Sequence, residues 1–162
     1  MSYTIEKFAE DCRCSLDRYS GPTARAALCG YVKRACQNHD FLSTHFSDEN
    51  NSPRKLLYED EVHGFCILTH VYEGTSNGKP HDHGPSWAIY GQATGNTKMT
   101  EWQIVDGELV AIRSYDLEPG DVYLYNEGII HSPQQLKTTR LIRIEGINLH
   151  GVTRAWYDFP LA

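Results

Sequence analysis

Apolar residues near the start of the chain recur at the spacing of an α-helix. One run occupies residues 4–16, and a second run opens at Gly21. The apolar positions that share a face are Ile5, Phe8, Ala9, Cys12 and Leu16 in the first run and Ala24, Ala27, Leu28, Tyr31, Val32 and Ala35 in the second. This pattern predicts two amphipathic helices.

After a polar, turn-rich segment at residues 43–53, short runs of β-branched and aromatic residues alternate with Gly, Pro, Asn and Asp. The predicted strands are Lys55–Tyr58, Phe65–Tyr72, Trp87–Gln92, Lys98–Val105, Glu108–Ser114, Asp121–Tyr125 and Arg140–Ile147, with a further one at Val152–Tyr157. The pair Asp106-Gly107 is a strong signal for a two-residue hairpin turn. Seven or eight short strands favour a sandwich, a jelly roll or a barrel.

Composition limits the class, partners and location of the protein. The 162 residues suit one domain, residues 1–162, with helices over residues 1–42 and the barrel over residues 54–160. The chain is 40% hydrophobic and 22% charged with a net charge of −6, which argues against a nucleic-acid partner. No apolar stretch approaches the roughly 18 residues of a membrane span, and the N-terminus lacks the apolar core of a signal peptide. We therefore expect a cytoplasmic protein without a membrane partner, as a monomer or a homodimer.

Three histidines carry the chemistry that the sequence suggests. His81 and His83 are two residues apart, so on an extended strand both imidazoles project from one face and can chelate one ion. His131 follows the strand predicted from Asp121, where a neighbouring strand can bring it beside the first two. The other five histidines are interpreted as surface or hydrogen-bonded residues. Together the three predict a site for one divalent metal.

The surroundings of His81 and His83 resemble the first cupin motif, G-x5-H-x-H-x3,4-E-x6-G. Gly95 matches the closing glycine, Ala88 holds the place of the glutamate, and Gly74 lies one residue further away than the leading glycine. Three neutral imidazoles without a carboxylate leave the ion with its full double positive charge and with open positions. Such a site favours anionic ligands.

The surroundings of His131 resemble the second cupin motif, G-x5-P-x-G-x2-H-x3-N. Gly120, Gly128 and His131 fall in step with it, while Asn126 stands for the proline and Gln135 for the asparagine. The resemblance covers about residues 54–146. It implies a mainly all-β cupin fold, a double-stranded β-helix or jelly-roll barrel, preceded here by two helices.

Among cupins, the three-histidine set, the His-Asp-His tripeptide and the two helices most resemble the thiol dioxygenases, the family of cysteine dioxygenase and 3-mercaptopropionate dioxygenase. That resemblance implies Fe(II) as the metal, O2 and a small thiol as substrates, and a sulfinic acid as product. Zn, Ni and Cu are alternatives, because three imidazoles suit them as well. Animal cysteine dioxygenases carry a cysteine cross-linked to tyrosine at the place of Ala88, so that cross-link cannot form here.

Four further residues are candidates for the catalytic or substrate-binding part of the site. The family binds the substrate carboxylate with an arginine on an early strand, and Arg54 falls within one residue of that place; a solvated loop arginine is the alternative. The family's Ser-x-His-x-Tyr relay is not found. Arg143 and Glu145 share a strand face at the corresponding place and can orient a polar substrate, the alternative being an exposed ion pair of little energetic value. The hydroxyl of Tyr157 is a further candidate, although no sequence pattern places it near the histidines.

Aromatic and acidic residues supply candidates for the surroundings of the histidines. The aromatic residues spaced as strand positions, which wall the pocket or belong to the core, are Trp87, Tyr90, Tyr123 and Tyr125. Asp82 and Glu127 are candidate acceptors for imidazole N–H groups, a role that metal-bound histidines usually need filled; solvated carboxylates are the alternative.

These observations lead to three hypotheses. The first is a mononuclear non-haem Fe(II) dioxygenase, similar to thiol dioxygenases, which oxidises a small anionic thiol to a sulfinate with O2. The second keeps the three histidines but cleaves a β-diketone-like substrate. The third is a cupin that binds a small molecule or a metal without turnover. Neither a G-x-S-x-G elbow nor a glycine-rich phosphate loop is present.

Overall fold

Three helices precede the strands in the computed structural model, which describes residues 2–161. Helix α1 spans Ile5–Arg18, α2 spans Gly21–Cys36 and α3 spans His39–His45. The first two confirm the predicted helices. The seven residues of α3 were not predicted, because they bury only Phe41 and are too short to show a helical period.

The described residues contain nine strands in two antiparallel sheets. Their bounds are β1 Lys55–Glu59, β2 Cys66–Tyr72, β3 Ser76–Asn77, β4 Ala88–Thr94, β5 Thr97–Val105, β6 Glu108–Leu117, β7 Val122–Tyr125, β8 Ile130–Gln135 and β9 Thr139–Glu145. One sheet has the order β1-β2-β9-β4-β7 and the other has the order β3-β8-β5-β6. Apart from the β1–β2 and β5–β6 hairpins, consecutive strands alternate between the two sheets. This is the jelly-roll arrangement that the sequence predicts, with one helix more than expected.

Local differences from the predicted strands have physical reasons. Strand β8 was missed because it contains Pro133 and mostly polar residues, a composition that demotes a strand prediction. The strand predicted at Val152–Tyr157 is wrong, since only Trp156 there forms a bridge, with His81. The predicted turn at Asp106-Gly107 is confirmed: both residues have positive φ and join β5 to β6.

The five-stranded sheet separates the helices from the interior of the barrel. Because successive side chains of a strand point to opposite faces, Ile89 of β4 and Ile142 and Ile144 of β9 pack in the core formed with α1 and α2. Tyr90 and Arg143, which are paired across the same two strands, point to the opposite side. The sheet thus places polar groups inside the barrel while its outer face stays apolar.

None of the helices in the described part of the chain is long and apolar enough to cross a bilayer.

Helix α2 lies close against β4 because Gly91 has no side chain. A Cβ atom at this position would lie 2.4 Å from Val32 Cγ1 and 2.6 Å from Cys36 Sγ, closer than real carbon atoms approach. Gly95, which closes the first cupin motif, has φ +78° and would place a Cβ 2.6 Å from Thr139 Oγ1. Both glycines are therefore required by close packing, and Gly95 also by its backbone conformation.

Alanine at Gly91 should destabilise the protein. We expect Gly91→Ala to lower the free energy of unfolding by about 1–3 kcal/mol, because α2 must move away from β4. Urea denaturation measures this loss. Gly30→Ala is the matched control: it lies in α2 with no atom within 4 Å of the new methyl group, so it should stabilise by about 0.5–1 kcal/mol. An unchanged stability of Gly91→Ala would contradict the close approach.

Candidate metal centre

The fold brings together the three histidines that the sequence singles out. His81 and His131 form an antiparallel bridge, with each backbone N–H donating to the other's carbonyl at 3.0 and 2.9 Å. His83 follows on the loop before β4, and one ring nitrogen from each histidine lies within 4.8 Å of the others. The three are 7%, 1% and 0% exposed. They form a buried cluster of nitrogen donors, which we call the triad.

Backbone carbonyls fix the ring orientation of two triad members. Nδ1 of His81 donates to the carbonyl of Lys79 at 2.8 Å, and Nδ1 of His131 donates to the carbonyl of Ile129 at 3.1 Å. Because a carbonyl can only accept, both Nδ1 atoms carry the proton, and both Nε2 atoms present lone pairs. This is the tautomer in which a histidine binds a metal through Nε2.

The two carboxylates predicted as acceptors for these rings lie elsewhere. Oδ1 of Asp82 accepts from the backbone N–H groups of Gly84 and Ala155 at 2.9 and 3.2 Å. Glu127 forms a bidentate ion pair with Arg25 at 2.6 and 2.9 Å. The predicted role is filled instead by the backbone carbonyl two residues before each histidine, that of Lys79 for His81 and that of Ile129 for His131.

Two of the four predicted aromatic residues border the triad. The hydroxyl of Tyr90, a fully buried residue, lies 3.0 Å from Nε2 of His83 and 3.2 Å from Nε2 of His131. Tyr125 stacks on the His131 ring, with centroids 4.3 Å apart. Trp87 packs instead against the core beneath the helices.

Burial keeps the triad uncharged. Loss of hydration, with Arg154 and Arg143 adding repulsion, lowers the pKa of His81 to about 4, and burial also holds the pKa values of His83 and His131 well below the usual value. All three rings are therefore neutral at pH 7. Neutral imidazole is the form that binds metal ions.

Arg143 and Glu145 form a buried pair, so the exposed ion pair considered from the sequence is wrong. The Arg143 guanidinium lies 4.1 Å above the Tyr90 ring, and its Nη1 lies 3.6 Å from Glu145 Oε1. Glu145 also accepts from Arg54 at 3.1 Å, while Arg54 donates to Asn148 at 2.9 Å. Because Arg54 and Arg143 share one carboxylate, that charge cannot neutralise both of them.

Two residues that sequence reasoning missed come from the segment after β9. The Trp156 ring lies 4.6 Å from the His81 ring and covers it from the solvent side, with Trp156 itself 55% exposed. The Arg154 guanidinium lies 4.8 Å from the Trp156 ring, and its buried Nη1 has no hydrogen-bond partner in the described structure. The only sequence signal was a short run mistaken for a strand. The backbone N–H of Asp82 donates to the Ala155 carbonyl, and this bond ties the segment that carries Arg154 and Trp156 to the chain between His81 and His83.

Tyr157 lies away from the triad. Its backbone N–H donates to the Pro80 carbonyl at 2.8 Å, but its side chain lines a surface cavity of about 450 Å³ beside the turn between β5 and β6. Within residues 2–161, no hydrogen bond connects its hydroxyl to a triad histidine. Of the four candidates, Arg143 thus lies next to the triad through Tyr90, and Glu145 reaches it only through Arg143. Arg54 reaches it only through Glu145, and the Tyr157 hydroxyl does not reach it.

Comparison with known proteins supplies only distant similarity. No protein-family model and no curated protein matches the chain. Among solved structures, KdgF from Halomonas sp. is 18% identical with a TM-score of 0.45, over 57% of this chain and 76% of that one. The cupin domain of Schizosaccharomyces pombe Cnp3 is 10% identical with a TM-score of 0.47, over 60% and 66%. An oxalate oxidase is 12% identical with a TM-score of 0.43, over 52% of this chain and 42% of its own length. The jelly-roll fold is therefore assigned from the strand order.

The buried neutral histidines should make the metal-free protein unstable in mild acid. The triad and His70, which burial also holds well below the usual pKa, protonate near pH 6.5 only when the chain unfolds. Below about pH 6.5 the unfolded state therefore binds more protons than the folded state. The free energy of unfolding is highest above pH 6.5 and decreases as the pH falls. Each such histidine contributes a slope approaching about 1.4 kcal/mol per pH unit.

Urea denaturation of chelator-treated protein between pH 7.5 and 5 measures this slope. His83→Gln should reduce the slope by about 1 kcal/mol per pH unit. Equal slopes in the variant and the original protein would contradict a neutral, buried His83.

Proposed function

We propose that the chain is a mononuclear non-haem iron dioxygenase, similar to thiol dioxygenases, which oxidises a small anionic thiol to a sulfinate with O2. The observation that carries the proposal is the triad: His81, His83 and His131 converge as buried, neutral donors, and no carboxylate belongs to the cluster among residues 2–161. A dication held by such a set keeps its full charge and attracts an anionic donor.

The residues fit a metal ion. The Nε2 lone pairs of His81 and His131 are oriented by their Nδ1 bonds, and buried Nδ1 of His83 has no partner, so this ring can adopt either tautomer. Bound Fe(II) would supply a Lewis-acid and redox centre for the thiolate and O2. Zn, Ni and Cu are alternative occupants, because imidazole suits all of them.

Two arginines support an anionic substrate. Arg143 is 8% exposed and Arg154 is half-buried, and each has a buried guanidinium nitrogen without a partner in the described structure. Burial lowers the pKa of Arg154 without removing its charge at pH 7. We propose that these two, rather than the neutralised Arg54, bind the substrate carboxylate. Glu145 then orients Arg143.

The proposed reaction balances without a further reductant. A thiol, RSH, takes up one O2 and becomes a sulfinic acid, RSO2H, with two new S–O bonds. Sulfur loses four electrons and O2 accepts four. The substrate alone therefore supplies all the electrons, and the protein must bind it, hold it beside the metal and exclude bulk water.

Metal binding by the triad is tested first. We expect the original protein, loaded anaerobically with Fe(II), to retain near one iron per chain by mass spectrometry. His83→Ala should remove most of the metal, because two imidazoles bind a dication much more weakly than three, while the far-ultraviolet circular dichroism stays unchanged. His63→Ala is the control, since His63 pairs with Asp17 and not with the triad. Full metal retention by His83→Ala would refute the site.

Turnover is tested by O2 uptake of the iron-loaded protein. Cysteine, 3-mercaptopropionate and acetylacetone are offered separately, with product analysis by mass spectrometry. Uptake with a thiol and a sulfinate product supports the proposal. Uptake with acetylacetone and carboxylic-acid products would favour C–C cleavage instead. Bound iron without uptake on any of the three would favour a binding protein and would overturn the proposed thiol oxidation.

Substrate recognition by Arg154 has its own prediction. Arg154→Gln should raise KM for 3-mercaptopropionate by roughly tenfold to a hundredfold, because a hydrogen bond to a charged group is worth about 1.5–3 kcal/mol. KM for uncharged 2-mercaptoethanol should change little. Arg18→Gln, at the exposed end of α1, controls for the loss of one surface charge. An equal rise of KM for both thiols would contradict a carboxylate contact.

A further inference from the structure

The Tyr90 hydroxyl occupies a position that the triad alone does not explain. The hydroxyl oxygen lies 3.0 Å from Nε2 of His83 and 3.2 Å from Nε2 of His131. Nε2 of His131 is the ring nitrogen that presents a lone pair. Tyr90 is 1% exposed and stands on β4, which pairs with β7 on one side and β9 on the other. The hydroxyl is therefore held at the triad by the centre of a sheet.

These distances match the separation of two ligands of one metal ion. Donors that each bind an ion at about 2.1 Å, at right angles to one another, lie about 3 Å apart. We infer that Tyr90 is a fourth protein ligand, which binds the metal through its phenolate oxygen to complete a site of three imidazoles and one phenolate. The inference depends on the proposed metal site at the triad. On binding, an O–metal bond forms and the hydroxyl proton leaves to solvent.

Burial raises the pKa of the Tyr90 hydroxyl to about 12, so the metal-free phenol is neutral at pH 7, but two cations lie near it. The Arg143 guanidinium lies 4.1 Å above the ring, and the buried Nη1 of Arg154, which has no partner in the described structure, adds a second positive charge near it. Glu145 pairs with Arg143 and Arg54, and its negative charge opposes a phenolate at Tyr90. Formation of the phenolate therefore requires the bound ion, and the two arginines add to its stabilisation.

The position of Tyr90 on its strand explains a gap in the first cupin motif. Ala88 stands where the motif has a glutamate, and Tyr90 is two residues further along the same strand, so both side chains point to the same face. A carboxylate at Ala88 would supply one negative charge to the ion. Tyr90 can supply that charge from the next inward position, and a dication would then keep one net positive charge with which to attract an anionic substrate.

Tyr125 provides a matched control. Its ring also touches the triad, stacking on His131 at 4.3 Å, but its hydroxyl lies 2.8 Å from the hydroxyl of Tyr115. Tyr125→Phe therefore removes a buried tyrosine hydroxyl beside the triad without removing a candidate ligand.

The test uses Fe(III), because a phenolate bound to Fe(III) produces an intense visible charge-transfer band. We expect the Fe(III)-loaded protein to be coloured, with resonance Raman scattering from phenolate vibrations in that band. Tyr90→Phe should lose the band while retaining near one iron per chain, and Tyr125→Phe should keep both. In weakly buffered solution, Zn²⁺ should release one more proton from the original protein than from Tyr90→Phe.

The outcomes separate the two proposals. Iron bound by the original protein without a visible band, together with equal proton release, would overturn the role of Tyr90 and leave the triad intact. Failure of the original protein to bind iron would overturn the triad and this inference together. If Tyr90→Phe does not fold, absence of the band from the original protein still overturns the inference, and a band that Tyr125→Phe retains leaves Tyr90 as the one other tyrosine in contact with the triad in the described structure.

Discussion

Burial inside the barrel acts differently on its two kinds of basic side chain. Removal of water takes the proton from an imidazole, whereas a guanidinium keeps its charge in any protein environment. The triad is therefore neutral while Arg143, a few ångströms away across the Tyr90 ring, remains a cation. The interior combines uncharged donors with incompletely neutralised positive charge. That combination, more than any single residue, is the basis for proposing a metal ion together with an anionic substrate.

The alternation of side chains along β4 and β9 keeps this interior separate from the helices. Ile89 and Ile144 are paired and face α1 and α2, while Tyr90 and Arg143 are paired and face the barrel. A slip of one residue in β9 would bury Arg143 against the helices, and a slip of one residue in β4 would turn Tyr90 toward them. Gly91, which lets α2 approach β4, holds the arrangement in place from the other side.

The sequence was informative wherever a local pattern encodes the structure. Strand alternation and motif spacing predicted most of the jelly roll and the convergence of the histidines. Strand β8 was missed because its pairing with β5, and not its own composition, makes it a strand. Arg154 and Trp156 reach the triad through backbone bonds between segments far apart in the chain, which no local pattern records. Tyr90 was recognised as a strand aromatic, but the position of its hydroxyl depends on the register of three strands.

The bridge among His81, His131 and Trp156 has a consequence for the order of folding. The first two residues are about 50 positions apart, and Trp156 comes later still, so their meeting closes long loops and belongs to the slow, non-local part of folding. Until that step, the two neighbouring histidines His81 and His83 can hold an ion only loosely. If the triad binds a metal as proposed, the nascent chain would exchange metals freely and would fix one only when the barrel closes, so that the metal retained would reflect the compartment in which folding ends.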